Sequence, residues 1–203
     1  TFEGTDGSGK TSVIKEVKQH YENKGYQVLM TREPGGIAIS EAIRDIVLNK
    51  EHPEMDSRTE ALLFAAARRQ HLVEKIKPAL DKGMIVLCDR FVDSSLIYQG
   101  YAWKIGIDKV YEINYFAIED NLPDLTIFVD VRPEVGLKRV FSTNNREINR
   151  LDLEERNFHI KVRDTFLKLS ERYKDRYRLI DASKSFDEVY NDALKVILEH
   201  LQK

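Results

Sequence analysis

Apolar and polar residues fall in blocks along the chain, and the period of the blocks switches repeatedly. Short apolar runs stand at Thr1 to Glu3, Gln27 to Thr31, Met84 to Asp89, Leu125 to Val131 and Arg178 to Asp181. These read as strands buried in a parallel sheet. Longer helical stretches lie between them: Lys10 to Asn23, Ser40 to Leu48, Asp56 to Asp81, Asp108 to Asp120, Pro133 to Phe141, Leu151 to Lys174 and Phe186 to Gln202. Ser40 is the expected N-cap of the second helix, and Pro78 marks a kink or turn late in the third. Strand and helix in strict alternation predict an α/β fold, a five-stranded parallel sheet with helices on both faces. Ligands of such sheets bind beyond the carboxyl ends of the strands.

Between two helical patterns lies a polar break, Ser142 to Arg150, in which Ile148 is the lone apolar residue. Two readings stand, an exposed helix–helix loop or a lid carrying arginines over a ligand. No repeat, low-complexity tract or linker divides the 203 residues, so the pattern describes one domain, 1–203, with the lid at about 139–151. Only three residues precede Gly4, a short first strand, which predicts that the native chain begins upstream of Thr1.

Composition narrows the classes. Charged residues make up 33% of the chain and apolar ones 42%, with a formal net charge of −2. This is a folded composition with no global attraction to nucleic acid or membrane. No apolar run approaches a membrane span. The single cysteine, Cys88, rules out an internal disulfide and suits a reducing compartment, most simply the cytoplasm. The five histidines show no metal-ligand spacing.

The chemistry concentrates at strand ends. Gly4-Thr5-Asp6-Gly7-Ser8-Gly9-Lys10-Thr11 follows the first strand and opens the first helix, matching G-x-x-x-x-G-K-[S/T]. Such a loop turns backbone N–H groups toward phosphates, with the helix dipole behind them. Lys10 reaches the β- and γ-phosphates, and the Thr11 hydroxyl ligates Mg²⁺. Asp89 ends an apolar strand and suits Mg²⁺, and Arg90 beside it suits a phosphate. Asp130 ends another strand and is the rival acid; Ser94 and Ser95 following at once favour Asp89. Thr31-Arg32-Glu33-Pro34-Gly35-Gly36 closes the second strand in a turn that presents Arg32 and Glu33 at the sheet's rim. Arg44 lies on the next helix and points either to solvent or over the cleft. Phe64 and Arg68 share a helical face; together they suit a base, while singly they read as core and surface charge. Tyr98 and Gln99 suit a sugar and a base edge.

These segments, in this order, resemble the thymidylate kinases of the nucleoside-monophosphate kinase fold, in their bacterial form. The likeness rests on Phe2-Glu3-Gly4 through Thr11, Thr31 through Gly36, Arg44, Phe64 to Arg69, Asp89-Arg90-Phe91, Ser94-Ser95, Tyr98-Gln99-Gly100, Pro123-Asp124-Leu125-Thr126 and Asn149-Arg150-Leu151. It implies ATP as phosphoryl donor, dTMP as acceptor, Mg²⁺ and a homodimer. It places Lys10 and Thr11 on ATP and the metal, Asp6 on the acceptor 3′-hydroxyl, and Arg90 with Arg44 on the acceptor phosphate. Glu33 falls near the metal and sugar, Phe64 on the thymine face, and Arg68 and Gln99 on its polar edge. Ser95 and Tyr98 line the nucleoside pocket. The phosphate loop carries Asp6 and no arginine, so the catalytic arginine is expected in the lid: Arg146 first, with Arg139 and Arg150 as alternatives. The third strand's Cys88 is read as structural.

Overall fold

The computed structural model describes residues 1–142, 151, 154 and 156–202. Five strands form one parallel sheet: β1 (Phe2–Glu3), β2 (Val28–Arg32), β3 (Ile85–Asp89), β4 (Thr126–Asp130) and β5 (Tyr177–Asp181). Their spatial order is β2-β3-β1-β4-β5. Phe2 pairs with Asp89 of β3 on one side and with Ile127 of β4 on the other. The first and third strands therefore end side by side, and a crevice opens where the order reverses.

Helices cover both faces. Along β4, Ile127 and Val129 face one core with Val13, Ile14 and Val17 of α1 (Lys10–Asn23) and Val189 and Ala193 of α9 (Phe186–Leu201). Phe128 faces the other core and stacks on Phe166 of α8 (Arg156–Arg172), ring centroids 4.9 Å apart. That second core also takes Leu72, Ile97 and Val110. The first four β4 positions, Thr126 to Val129, are thus buried, with side chains alternating between the two faces, which is why the strand reads as an apolar run.

One expectation is corrected, and two stretches gain detail. Ser40 is not an N-cap. Helix α2 (Ala38–Val47) starts two residues earlier, from Ile37, and Ser40 is buried with its hydroxyl donating to the Ala67 carbonyl at 2.7 Å. The long helix from Asp56 is continuous, but its pitch changes along the way. Asp56 caps α3 (Ser57–His71) by accepting from the amides of Arg58 and Thr59. A π-helical turn, Leu72–Ile76, then shifts the register before α4 (Lys77–Leu80), where Pro78 lacks a backbone donor. The stretch after Arg90, to which the sequence pattern assigned no element, is α5 (Val92–Ser95) running into a second π-helical turn, Leu96–Ala102. The remaining helices are α6 (Ile107–Ile118) and α7 (Pro133–Ser142).

Candidate active site

The phosphate loop leaves β1 at Gly4 and enters α1 at Lys10. Its tip lies against the backbone of α7: a Cβ on Gly7 would collide with the Gly136 carbonyl, and one on Gly136 with the Asp6 carbonyl. Gly7 also has φ 74, which disfavours any side chain. Lys10 is buried, and its Nζ donates to the carbonyls of Gly4 (3.0 Å) and Thr5 (2.9 Å). Burial, then repulsion from Arg90, bring its pKa down from 10.5 to about 8. An arriving phosphate supplies the anion that this ammonium lacks. The Thr5 hydroxyl is buried with no hydrogen-bond partner among the described residues, an orphan that fits a polyanion ligand.

Thr11 is exposed to the cleft, and its hydroxyl donates to Asp89 Oδ2 at 2.6 Å. A hydroxyl and a carboxylate, both hard oxygen donors, meet at the loop's edge, and this donor set fits Mg²⁺. Asp130, the rival acid, is taken by Arg163 in a two-pronged pair at 2.7 and 2.8 Å.

Arg90 follows Asp89 with φ 67, in the left-handed region. Its Nη2 donates to Asp6 Oδ1 at 3.0 Å and its Nη1 to Ser94 Oγ at 3.1 Å. The guanidinium lies over the Tyr98 ring, 5.4 Å from its centroid. Burial opposes its charge, but Tyr98, Asp6 and Glu3 around it hold it well above the ordinary arginine value. Arg44 turns inward, lining the cleft and donating to the Pro34 carbonyl at 3.1 Å.

Arg68 is no surface charge. It is 2% exposed, and its donors are nearly all engaged. Nε gives to Glu33 Oε2 (2.7 Å), Nη1 to Ser95 Oγ (3.0 Å) and to Asn114 Oδ1, and Nη2 to the Phe91 carbonyl (3.1 Å). Of five N–H donors, one on Nη2 is left. Glu33, expected near the metal and sugar, is held from two sides. Its second oxygen pairs with His71 Nδ1 at 3.0 Å, so Arg68 and His71 occupy both oxygens. His71 meets Thr31 Oγ1 at 2.7 Å through Nε2. Sequence reading missed His71 as well as Glu60. Glu60 is buried and accepts from Gln99 Nε2 (2.6 Å) and Trp103 Nε1 (2.9 Å). A carboxylate only accepts, so Glu60 fixes which end of the Gln99 amide is free: the carbonyl oxygen. Four residues ahead of the phenylalanine that shares its helical face, Glu60 carried a usable signal, an acid on a buried flank.

One cleft of about 850 Å³ joins these groups, with Gly9, Lys10 and Thr11 at one end and Phe64, Arg68 and Gln99 at the other. Asp89 and Arg90 line it too, as do Ser95, Tyr98 and Arg139. Arg139 Nη1 lies 3.4 Å from the Gly7 carbonyl. Arg146 and Arg150 lie outside the described residues.

A phosphate loop on a five-stranded parallel sheet, opposite an arginine-lined nucleoside pocket, defines a P-loop phosphotransferase of the nucleoside-monophosphate kinase fold. Residues 2–193 match the family model described as thymidylate kinase. The chain is 57% identical over 203 residues to the thymidylate kinase of Bacillus velezensis, covering 100% of this chain and 96% of that one. It is 54% identical over 202 residues to the thymidylate kinase of a Geobacillus species, with the same coverage. The crystal structure of thymidylate kinase from Ehrlichia chaffeensis is similar at a TM-score of 0.77 and 32% identity, over 97% of this chain and 96% of that one. The chain belongs to the thymidylate kinase family.

Proposed function

We propose that this protein transfers the terminal phosphoryl group of ATP to dTMP, giving ADP and dTDP. The observation that carries the reading is the single cleft with a triphosphate cradle at one end and a base pocket at the other, Arg90 lying along it. The base pocket is matched to thymine by polarity. The one N–H left on Arg68 meets a carbonyl acceptor, and the Gln99 carbonyl, freed by Glu60, meets a ring N–H. Cytosine, whose amino group is a donor and whose ring nitrogen is an acceptor, reverses both. Phe64 supplies the stacking face. Tyr98 and Ser95 line the sugar, with Asp6 toward its 3′-hydroxyl, and Arg44 supports Arg90 on the acceptor phosphate.

The attacking group is a phosphate oxygen, already largely ionised near neutral pH. No general base is required, and catalysis consists of alignment and charge neutralisation. Lys10 leaves its carbonyl partners for the transferred phosphate. Thr11 and Asp89 are the residues that would hold Mg²⁺, and the ion would supply charge neutralisation on the donor phosphates. Arg146 is our assignment for the lid arginine, with Arg139 and Arg150 as the neighbouring alternatives, in a lid at about 139–151 that excludes water from the reaction. We infer the cytoplasm from the single cysteine, which suits a reducing compartment; separately, no helix among the described residues is long and apolar enough to cross a membrane. We assign a homodimer joined through α3 and α6, which touch each other and carry Leu62 (56% exposed) and Phe116 (88% exposed); a monomer in sedimentation refutes it.

A coupled ADP-release assay with ATP and Mg²⁺ tests the reaction, offering dTMP, dUMP, dCMP, AMP and thymidine in turn. Turnover is expected on dTMP above all others. Turnover on thymidine in preference to its monophosphate, or none on any acceptor, overturns the reading.

A further inference from the structure

Glu3 has no role in the reaction above, yet it is an acid with 0% exposure immediately before the phosphate loop. Both of its oxygens act as acceptors. Oε1 receives the amide N–H of Phe91 at 2.8 Å and of Ser94 at 3.3 Å, and Oε2 receives the Ser94 hydroxyl at 2.6 Å. The same Ser94 oxygen accepts from Arg90 Nη1 at 3.1 Å. A hydroxyl has one proton to give. Because Glu3 takes it, Ser94 meets the arginine with lone pairs alone.

The backbone tells the same story. Arg90 sits at φ 67, a conformation unfavourable for a non-glycine residue that persists only where its surroundings enforce it. The Arg90 amide is bonded to the Phe2 carbonyl at 2.9 Å, and the next amide is clamped by Glu3. Two successive residues of β1 therefore hold the turn that carries Arg90. Asp93, the other acid near Glu3, is neutralised by Arg176 through bonds of 2.6 and 2.7 Å. Arg90 is then the cation that Glu3 addresses. Burial first, then Asp93, raise the Glu3 carboxyl to about 7, and the three donors around it are those an ionised carboxylate requires.

We propose that Glu3 is a positioning residue for Arg90, acting through Ser94: by accepting the serine proton it orients the hydroxyl so that Arg90 is held with its remaining N–H groups toward the acceptor phosphate. The inference rests on the assignment of Arg90 to that phosphate.

Glu3→Gln isolates the relay. Glutamine keeps one oxygen for the two amides, but its other arm donates, so it gives a proton to Ser94 and turns the serine proton against the Arg90 N–H. The expected result is a rise in KM for dTMP of about tenfold, with KM for ATP unmoved. Ser94→Ala removes the link without reversing it and is expected to raise the same constant about threefold. In the Ser94→Ala background, Glu3→Gln has no hydroxyl to reverse, and the double variant is expected to match Ser94→Ala. An equal Glu3→Gln penalty in both backgrounds overturns the relay, since that is what packing alone predicts. Should Glu3→Gln fail to fold, Ser94→Ala decides alone: an unchanged KM for dTMP overturns the relay. Arg90→Ala tests the underlying assignment separately. If it leaves KM for dTMP at the wild-type value, Arg90 does not hold the acceptor phosphate, whatever Glu3 does.

Discussion

The two ends of the cleft are built on different principles. At the base end, Arg68, Glu33, His71, Gln99 and Glu60 are all buried, and each holds another at hydrogen-bond distance in the ligand-free chain. Little is left to rearrange, and recognition rests on the few donor and acceptor positions not already used. At the phosphate end, Lys10 leans on loop carbonyls and Thr11 on Asp89. On the proposed function, these are bonds that a phosphate or a cation would replace. One end is preorganised for shape and polarity, and the other keeps its charged groups on exchangeable partners. In the proposed reaction the base end would discriminate, whereas the phosphate end would bind a different charge distribution at each stage.

The contrast breaks in different ways at each end. Lys10→Ala removes the cation of the exchangeable end, and kcat is expected to fall by about 10²–10³-fold while circular dichroism reports an intact fold. A kcat within tenfold of wild type would move the work to Arg90 or the lid. Glu33→Gln strikes the preorganised end. It leaves Arg68 without its buried counter-charge, and denaturant titration should show a loss of about 3 kcal/mol, along with a raised KM for dTMP. Unchanged stability would mean that Arg68 finds other partners. Glu60→Gln gives Gln99 a partner that can donate as well as accept, so either end of the amide can turn to the base. The ratio of kcat/KM for dTMP over dCMP is expected to fall about tenfold with little change in KM for ATP. The smallest effect concerns pH. Lys10 is charged below about pH 8 and loses its proton as pH rises through that value. Donor binding therefore weakens on the alkaline side, and KM for ATP should rise about fourfold between roughly pH 7 and pH 8.5. A flat profile would show that Lys10 titrates higher.

The phosphate end was largely legible in the sequence, because its residues are contiguous or stand at strand ends that a parallel sheet must align. Gly4 through Thr11 is a single run, and Asp89 reaches it because β3 pairs with β1. The base end was legible as a set of residues but not as a network. Glu33 and Arg68 are 35 positions apart and Glu60 and Gln99 are 39 apart. Helical spacing identifies neighbours on one helix, not across two. For the same reason His71, on the flank of α3, gave no signal until Glu33 was seen against it. The five strands read correctly to within a residue, most plainly β4, where burial on both faces leaves an apolar run, whereas β2 and β5 mix buried and exposed positions. The π-helical turns did not, because one added residue per turn barely disturbs a 3.6 period.

The contact between Gly7 and Gly136 has a consequence for how this chain is free to vary. Neither glycine offers a functional group to a ligand, yet the two main chains meet with no room for even a methyl between them. Substitution at either site is constrained by volume alone, so a swap that looks harmless chemically wedges the nucleotide cradle away from its supporting helix. Two positions about 130 residues apart along the chain thus answer to one steric limit: a side chain at Gly7 meets the Gly136 carbonyl, and one at Gly136 meets the carbonyl of Asp6, just before Gly7.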